Sequence, residues 1–431
     1  MPDLLHVSGN FQKDPRLLRM KEYLINTVST EMPDRSIGKE QDRDEIHRLL
    51  LEAFEQTKAD LKPEVRDRLL DSAQADLIGY GPLELLLPDP DINEIMVNGA
   101  KQIFVERNGE LLETDVKFEN DEQLLRIINR IISPLGRRID SDNPTADARL
   151  PDGSRVNVII PPVAVDGPHI TIRKFLQTKM TMDDLVSMEA LTPYMAKFLE
   201  ACVVTRLNIL VTGNTSSGKT TVLNALSGFI PERERIVTIE DAVEMKLRQR
   251  HVVRLETKLP NIDGTGEVSV RELVRNALRM RPDRIVVGEV RGGEAMDMLQ
   301  AMNTGHTGSL TTLHANSPRD GTSRLETMCM MAGLDMPLLA IRKQIAAAIN
   351  LIVHLARLPD GSRRMTHITE LSGLEGDVLT LTDIFKFDQT GVTPKGKIIG
   401  QLRPTGMRPL FTPRLETSGY KLGGEIFGAG S

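Results

Sequence analysis

Tryptophan is absent from this chain of 431 residues, aromatics make up 3% of it, and only two cysteines occur. Too few rings remain to stack successive bases of a single strand, which weighs against a nucleic-acid channel. A formal charge of −6 provides no basic field to draw in a polyanion. Cys202 and Cys329 sit in apolar surroundings and read as reduced core thiols, not as a disulfide. No apolar run reaches the ~18 residues that cross a bilayer. The N-terminus lacks a basic segment followed by an apolar one, and no fixed repeat suggests a solenoid. The expectation is a soluble, cytoplasmic protein that reaches a membrane only through partners.

What is present is a phosphate-binding pattern. The apolar run Leu207-Asn208-Ile209-Leu210-Val211 leads into Thr212-Gly213-Asn214-Thr215-Ser216-Ser217-Gly218-Lys219-Thr220-Thr221, and Val222–Leu226 continues with helical character. Two glycines, four residues between them and then Lys-Thr form the spacing of a loop that cradles phosphates between a strand and a helix. Gly218 lets backbone pass where a Cβ would clash. Amides from Thr215 to Thr220 can converge on an anion at a helix N-terminus. Lys219 is placed to reach the β- and γ-phosphates of ATP, and the Thr220 hydroxyl to hold Mg²⁺.

Along the chain, residues 1–40 read as a mobile arm with a weak helical patch near Leu17–Val28, and 41–80 as a small helical module with Pro63 opening its second helix. Residues 82–178 read as an α+β domain: strands at Glu94–Val97, Gln102–Glu106 and Leu111–Val116 with an Asn108-Gly109 hairpin, a helix at Asp121–Ile132, then strands at Ala146–Leu150, Arg155–Ile160 and His169–Phe175. It carries three arginines in or at strands, Arg149, Arg155 and Arg173. A connector and hinge at 179–187 precedes 188–358, where strands and helices alternate as in a parallel α/β sheet. Residues 359–431 read as a C-terminal appendage with a weakly structured tail from Arg403.

Two further strands end in acids. Arg284–Arg291 carries Glu289 where a carboxylate faces metal or the attacking water; the aspartate usually found one position earlier is replaced by Gly288. Thr238-Ile239-Glu240-Asp241-Ala242-Val243-Glu244 offers Glu240, Asp241 and Glu244 to orient water or take its proton. His306 and His314, eight residues apart among glycines and threonines, are too few for a structural metal site. They read either as core histidines or as sensors of the γ-phosphate.

Together these four segments resemble the type II/type IV secretion ATPase superfamily, and specifically the CpaF-type ATPases of Tad (Flp) pilus assembly. Gly213–Thr221 resembles the Walker A box, Thr238–Glu244 the acidic Asp box, Ile285–Arg291 a Walker B ending Gly-Glu, and Gly305–Asn316 the His box. Leu273–Arg284, Thr312–Asp320, Glu94–Gly99 and Asp152–Asn157 are also close to the CpaF wording. The phosphate loop departs from it where Asn214 and Ser216 stand at positions commonly glycine. The resemblance spans about residues 75–410 and implies a RecA-like ATPase domain behind a PAS-like α+β domain. It further implies a homohexameric ring that hydrolyses ATP with Mg²⁺, held by Thr220 and Glu289. Arg155 and Arg173, with Arg149 a weaker match, would contact the nucleotide phosphates. Domain rotation would drive inner-membrane pilus platform proteins at the cytoplasmic face. The alternatives are a type IV secretion ATPase, a RecA-type nucleic-acid motor and a nucleotide-binding scaffold without hydrolysis.

Overall fold

Apolar residues at helical spacing near the start of the chain form three helices in the computed structural model: α1 (Pro15–Glu31), α2 (Glu40–Gln56) and α3 (Pro63–Ile78). The structure describes residues 14–31, 40–107, 109–175, 180–258, 260 and 264–428. Asn108 of the expected hairpin, the outer parts of the arm and residues 178–179 of the expected domain boundary lie outside them. Within the arm, α1 is an ordered helix, because Leu24 and Val28 are buried against Ile46, Leu50, Leu69 and Leu70 of α2 and α3. Lys21 is buried there too, and its ammonium is neutralised by Asp76 and Glu119, each at 2.8 Å. Gln123 donates to the same Asp76 oxygen at 2.7 Å, so a polar cluster ties the helices to the sheet domain.

That domain is built on a six-stranded antiparallel sheet: β1 (Ile92–Asn98), β2 (Gln102–Arg107), β3 (Glu110–Glu113), β4 (Thr145–Arg149), β5 (Arg155–Ile159) and β6 (His169–Arg173), in the order β3-β2-β1-β6-β5-β4. Helix α4 (Asp121–Ile132) lays Leu124, Ile127, Ile128, Ile131 and Ile132 into its core. Its cap is Asn120, whose side chain accepts from Gln123 N; Asp121 instead receives the amide of Ala100.

The chain divides into two compact units, Met1–Gln177 and Thr178–Ser431. The second begins with α5 (Met182–Ser187) and α6 (Pro193–Val204). It continues through β7 (Ile209–Gly213), α7 (Lys219–Ser227), β8 (Ile236–Glu240), β9 (Val252–Glu256), α8 (Val270–Ala277), β10 (Arg284–Val287), α9 (Glu294–Asn303), β11 (Leu310–His314), α10 (Pro318–Met330), α11 (Leu338–Ala348) and β12 (Leu351–Arg357). β7, β8 and β10 are buried along their whole length. Such strands are covered on both faces, as parallel sheets of α/β proteins are. Strands β9-β8-β10-β11-β7-β12 are parallel neighbours, and Gly213 pairs with His314 at their C-terminal edge. This is the RecA-like α/β arrangement expected, with strand ends converging where such sheets bind ligands.

The chain beyond 359 is not an appendage. β13 (Arg363–Glu375), β14 (Val378–Val392) and β15 (Ile398–Pro404) add antiparallel to β12 and extend the same sheet to nine strands. The tail is also packed: Leu415 of α12 (Thr412–Thr417), Leu422 and Phe427 join the core. Phe427 and Phe385 stand edge-on to Phe198 of α6, 5.9 and 5.4 Å between ring centres. Those aromatics cover a helix face that would otherwise be wet.

At the opposite, N-terminal edge of the sheet, Arg284 is fully buried, bonded to Glu234 at 2.5 Å and to the Gly308 carbonyl at 3.0 Å. Gly308 has φ +84°, and a Cβ there would fall 1.9 Å from Arg284 Nη1. Gly308→Ala is therefore expected to lose about 3 kcal/mol or more by disturbing a buried ion pair. Urea unfolding would check this; a change within about 0.5 kcal/mol would contradict it.

Candidate active site

Thr212 and Gly213 end β7 against β12, with Thr212 Oγ1 bonded to His354 Nδ1 at 2.8 Å. Burial holds the His354 imidazole neutral, its pKa lowered to about 4. A Cβ on Gly213 would lie 2.5 Å from both Leu355 O and Ser217 Oγ, so only glycine lets the loop turn here. Two residues of the loop are left-handed, Ser216 (φ +57°) and Gly218 (φ +95°), whereas Asn214 is not. Arg363 of β13 donates from Nε to the Ser216 carbonyl at 2.9 Å. No side chain caps α7, which leaves its first amides and their partial positive charge for an anion. Thr220 and Thr221 are the second and third residues of that helix.

Lys219 is buried and donates to the Asn214 carbonyl at 3.0 Å and to His314 Nδ1 at 3.3 Å. An ammonium only donates, so His314 Nδ1 accepts and the ring proton sits on Nε2. Nε2 in turn meets Glu289 Oε1 at 2.8 Å. Desolvation lowers the His314 pKa, opposed by Glu289 and assisted by Lys219, in keeping with that neutral tautomer. Glu289 is also bound by Arg291 Nε at 2.6 Å, and Arg291 reaches Asp241 at 3.2 Å. The nearby carboxylates hold the Arg291 pKa above its ordinary value, although desolvation pulls it down. Residues from all four motifs thus form one bonded chain at the C-terminal edge of the sheet.

Glu240 is bonded to backbone. It is buried, and its Oε2 accepts the backbone amides of Glu244 and Met245 at 2.8 and 3.0 Å. It shapes the loop that carries Asp241 and Glu244. A Cβ on Gly288 would stand 3.0 Å from Glu240 Cγ. A side chain at 288 would crowd Glu240 unless the glutamate side chain gave way by a few tenths of an ångström. The Gly288 carbonyl is held by Thr312 Oγ1 at 2.8 Å.

His306 is not brought to this group. It precedes β11 while His314 ends it, so about 16 Å of five-residue strand lies between them. Its Nδ1 is buried without a hydrogen-bond partner, beside the turn where Asn208 Oδ1 accepts the amides of Gly308 and Ser309. In the other unit, Arg149, Arg155 and Arg173 are direct cross-strand neighbours on β4, β5 and β6. Arg173 also faces Glu94 of β1, 3.8 Å away. Like charges placed opposite one another repel.

Arg291 and Arg363 were not picked out from the sequence. Arg291 follows Glu289 by two residues and could have been suspected; nothing local marks Arg363. Among the described residues, no cluster of three His, Cys, Asp or Glu side chains could hold a metal ion unaided. Thr220 and Glu289 suit Mg²⁺, which keeps few protein ligands and takes most of its oxygens from water and substrate phosphates. No helix among the described residues is long and apolar enough to cross a membrane.

The chain is similar to several known proteins. The chain is 38% identical over 315 residues to a putative conjugal transfer protein of Mycobacterium tuberculosis, covering 72% of this chain and 89% of the relative. It is 36% identical to the type IV secretion system protein PtlH of Bordetella pertussis, over 64% of this chain and 88% of that protein. Among solved structures, the VirB11 ATPase of the Brucella suis type IV secretion system is 29% identical with a TM-score of 0.38, covering 67% of this chain and 95% of that one. The profile of the family described as Type II/IV secretion system protein matches residues 76–384. The chain belongs to that family, a family of secretion ATPases.

Proposed function

We propose that the protein is a Mg²⁺-dependent ATPase that works as a homohexameric motor for assembly of a Tad-type pilus, at the cytoplasmic face of the inner membrane and through platform proteins there. The observation that supports it most is the bonded chain Asn214–Lys219–His314–Glu289–Arg291–Asp241. Such a chain can register a phosphate at one end and move a carboxylate at the other. On this reading Gly213–Thr221 holds the nucleotide, with Lys219 exchanging its Asn214 and His314 partners for phosphate oxygens. Mg²⁺ would neutralise charge developing between the β- and γ-phosphates. Glu289 orients the attacking water, and His314 links that carboxylate to the state of Lys219. Glu240 supports the Asp241–Glu244 loop, as its two backbone amides suggest. Arg155 and Arg173, with Arg149 beside them, supply guanidinium to the γ-phosphate. His306 takes no direct part within its own protomer.

The relatives favour a second reading, a type IV secretion or conjugation ATPase with the same chemistry and another partner. Co-purification separates the two: a pilus platform supports the first and a secretion channel the second. A RecA-type nucleic-acid motor predicts DNA-stimulated turnover, which the acidic chain gives no reason to expect.

Lys219→Ala is expected to abolish ATP turnover by the purified protein, a loss of at least about 100-fold, comparable with removing a principal transition-state donor. Full activity in that variant would contradict the assignment. Protonation of His314 would place a second cation beside Lys219, so activity should fall on the acid side only. Because burial lowers the His314 pKa, that limb should lie below 6.5, and the residual activity of His314→Gln should lack it. A limb centred above 6.5 in a pH–rate profile would contradict the neutral tautomer.

A further inference from the structure

The hairpin joining β12 to β13 belongs to none of the four motifs, yet it lies against the phosphate loop. Arg363 opens β13, pairs across the hairpin with Arg357, and donates from Nε to the Ser216 carbonyl at 2.9 Å. Its Cδ lies 3.9 Å from where a Cβ on Gly218 would be. β12 and β13 flank β7 on the side away from β11 and β10. Arg363 therefore approaches the loop from the flank opposite the Lys219–His314–Glu289 chain. The hairpin is itself braced: Asp360 Oδ1 takes the Ser362 amide at 3.0 Å and hydroxyl at 2.6 Å, and Oδ2 takes the Ile398 amide at 2.8 Å.

A non-glycine residue persists in the left-handed region only where its surroundings hold it. Ser216 is in that region, in the loop just before Gly218 and Lys219. A donor on its carbonyl fixes the peptide plane that leads into the cradle, and the guanidinium adds positive charge beside it. We propose that Arg363 is a positioning residue of the nucleotide site, holding the phosphate loop in its anion-binding form through the Ser216 carbonyl. The proposal rests on the ATPase reading and deepens it: affinity for a nucleoside triphosphate depends on a C-terminal hairpin outside the recognised motifs.

The test measures the Kd of a fluorescent ATP analogue with Mg²⁺, steady-state kcat and KM, and thermal unfolding for the full-length wild type, Arg363→Ala, Arg363→Lys and Arg364→Ala. Arg364 points elsewhere, to the Glu189 carbonyl and, at 3.5 Å, its carboxylate. Arg363→Ala should raise Kd and KM about tenfold, the scale of one charge-assisted hydrogen bond, with kcat changing less than KM. Arg363→Lys should recover part of the affinity, and Arg364→Ala should keep the wild-type Kd. A merely structural role would lower the unfolding temperature of the nucleotide-free protein and leave Kd alone. Wild-type Kd in Arg363→Ala, alongside lost turnover in Lys219→Ala, would overturn the proposal and spare the ATPase reading. Equal losses of affinity in the Arg363 and Arg364 variants would overturn it as well. A wild type that binds no nucleotide would overturn both.

Discussion

A buried ammonium must be shared among acceptors, and in this protein the sharing of Lys219 organises the candidate site. Removed from water, it finds the Asn214 carbonyl on one side and the His314 imidazole on the other. That arrangement forces the histidine proton onto Nε2 and so to Glu289, whose carboxylate is also committed to Arg291. A triphosphate that took Lys219 away would leave His314 Nδ1 without its donor, and the change would be felt at Glu289 through one imidazole. Burial of Lys219 strengthens its end of this coupling, while His314 and Arg291 keep part of their side chains in water.

The sheet makes the coupling possible. Parallel strands bring Gly213 and His314 into direct register. β8 and β10 end at the same edge, with Glu240 closing β8 and Gly288 following β10. The far edge is locked by Arg284, Glu234 and the Gly308 turn, so a glycine of the His box serves the framework while His314, at the other end of β11, serves the site.

Much of this was legible in the sequence, for physical reasons. Strands buried on both faces are unbroken apolar runs, so β7, β8 and β10 announce themselves, and phosphate chemistry demands a particular glycine and lysine spacing. Three strand-borne arginines were visible as residue types, but their alignment across β4, β5 and β6 depends on register. The rest was illegible because it depends on partners distant in the chain. α1 is helical because α2 and α3 bury Leu24 and Val28; by itself its sequence is polar and ambiguous. β13–β15 continue the sheet because β12 offers a free edge, not because their period identifies it. The two ends of the His box look alike in sequence, yet a whole strand separates them. Nor does the sequence show that Glu240 Oε2 holds two backbone amides. Arg363 reaches Ser216 across 147 residues, a distance no local pattern spans.

The most direct measurement is a crystal structure of the full-length protein with Mg²⁺ and a non-hydrolysable ATP analogue. The account predicts Lys219 Nζ withdrawn from the Asn214 carbonyl and bonded to the β- and γ-phosphates, with His314 or Glu289 moved from the geometry described. A triphosphate bound elsewhere, with Lys219 still on Asn214 and the His314–Glu289 bond unchanged, would contradict it.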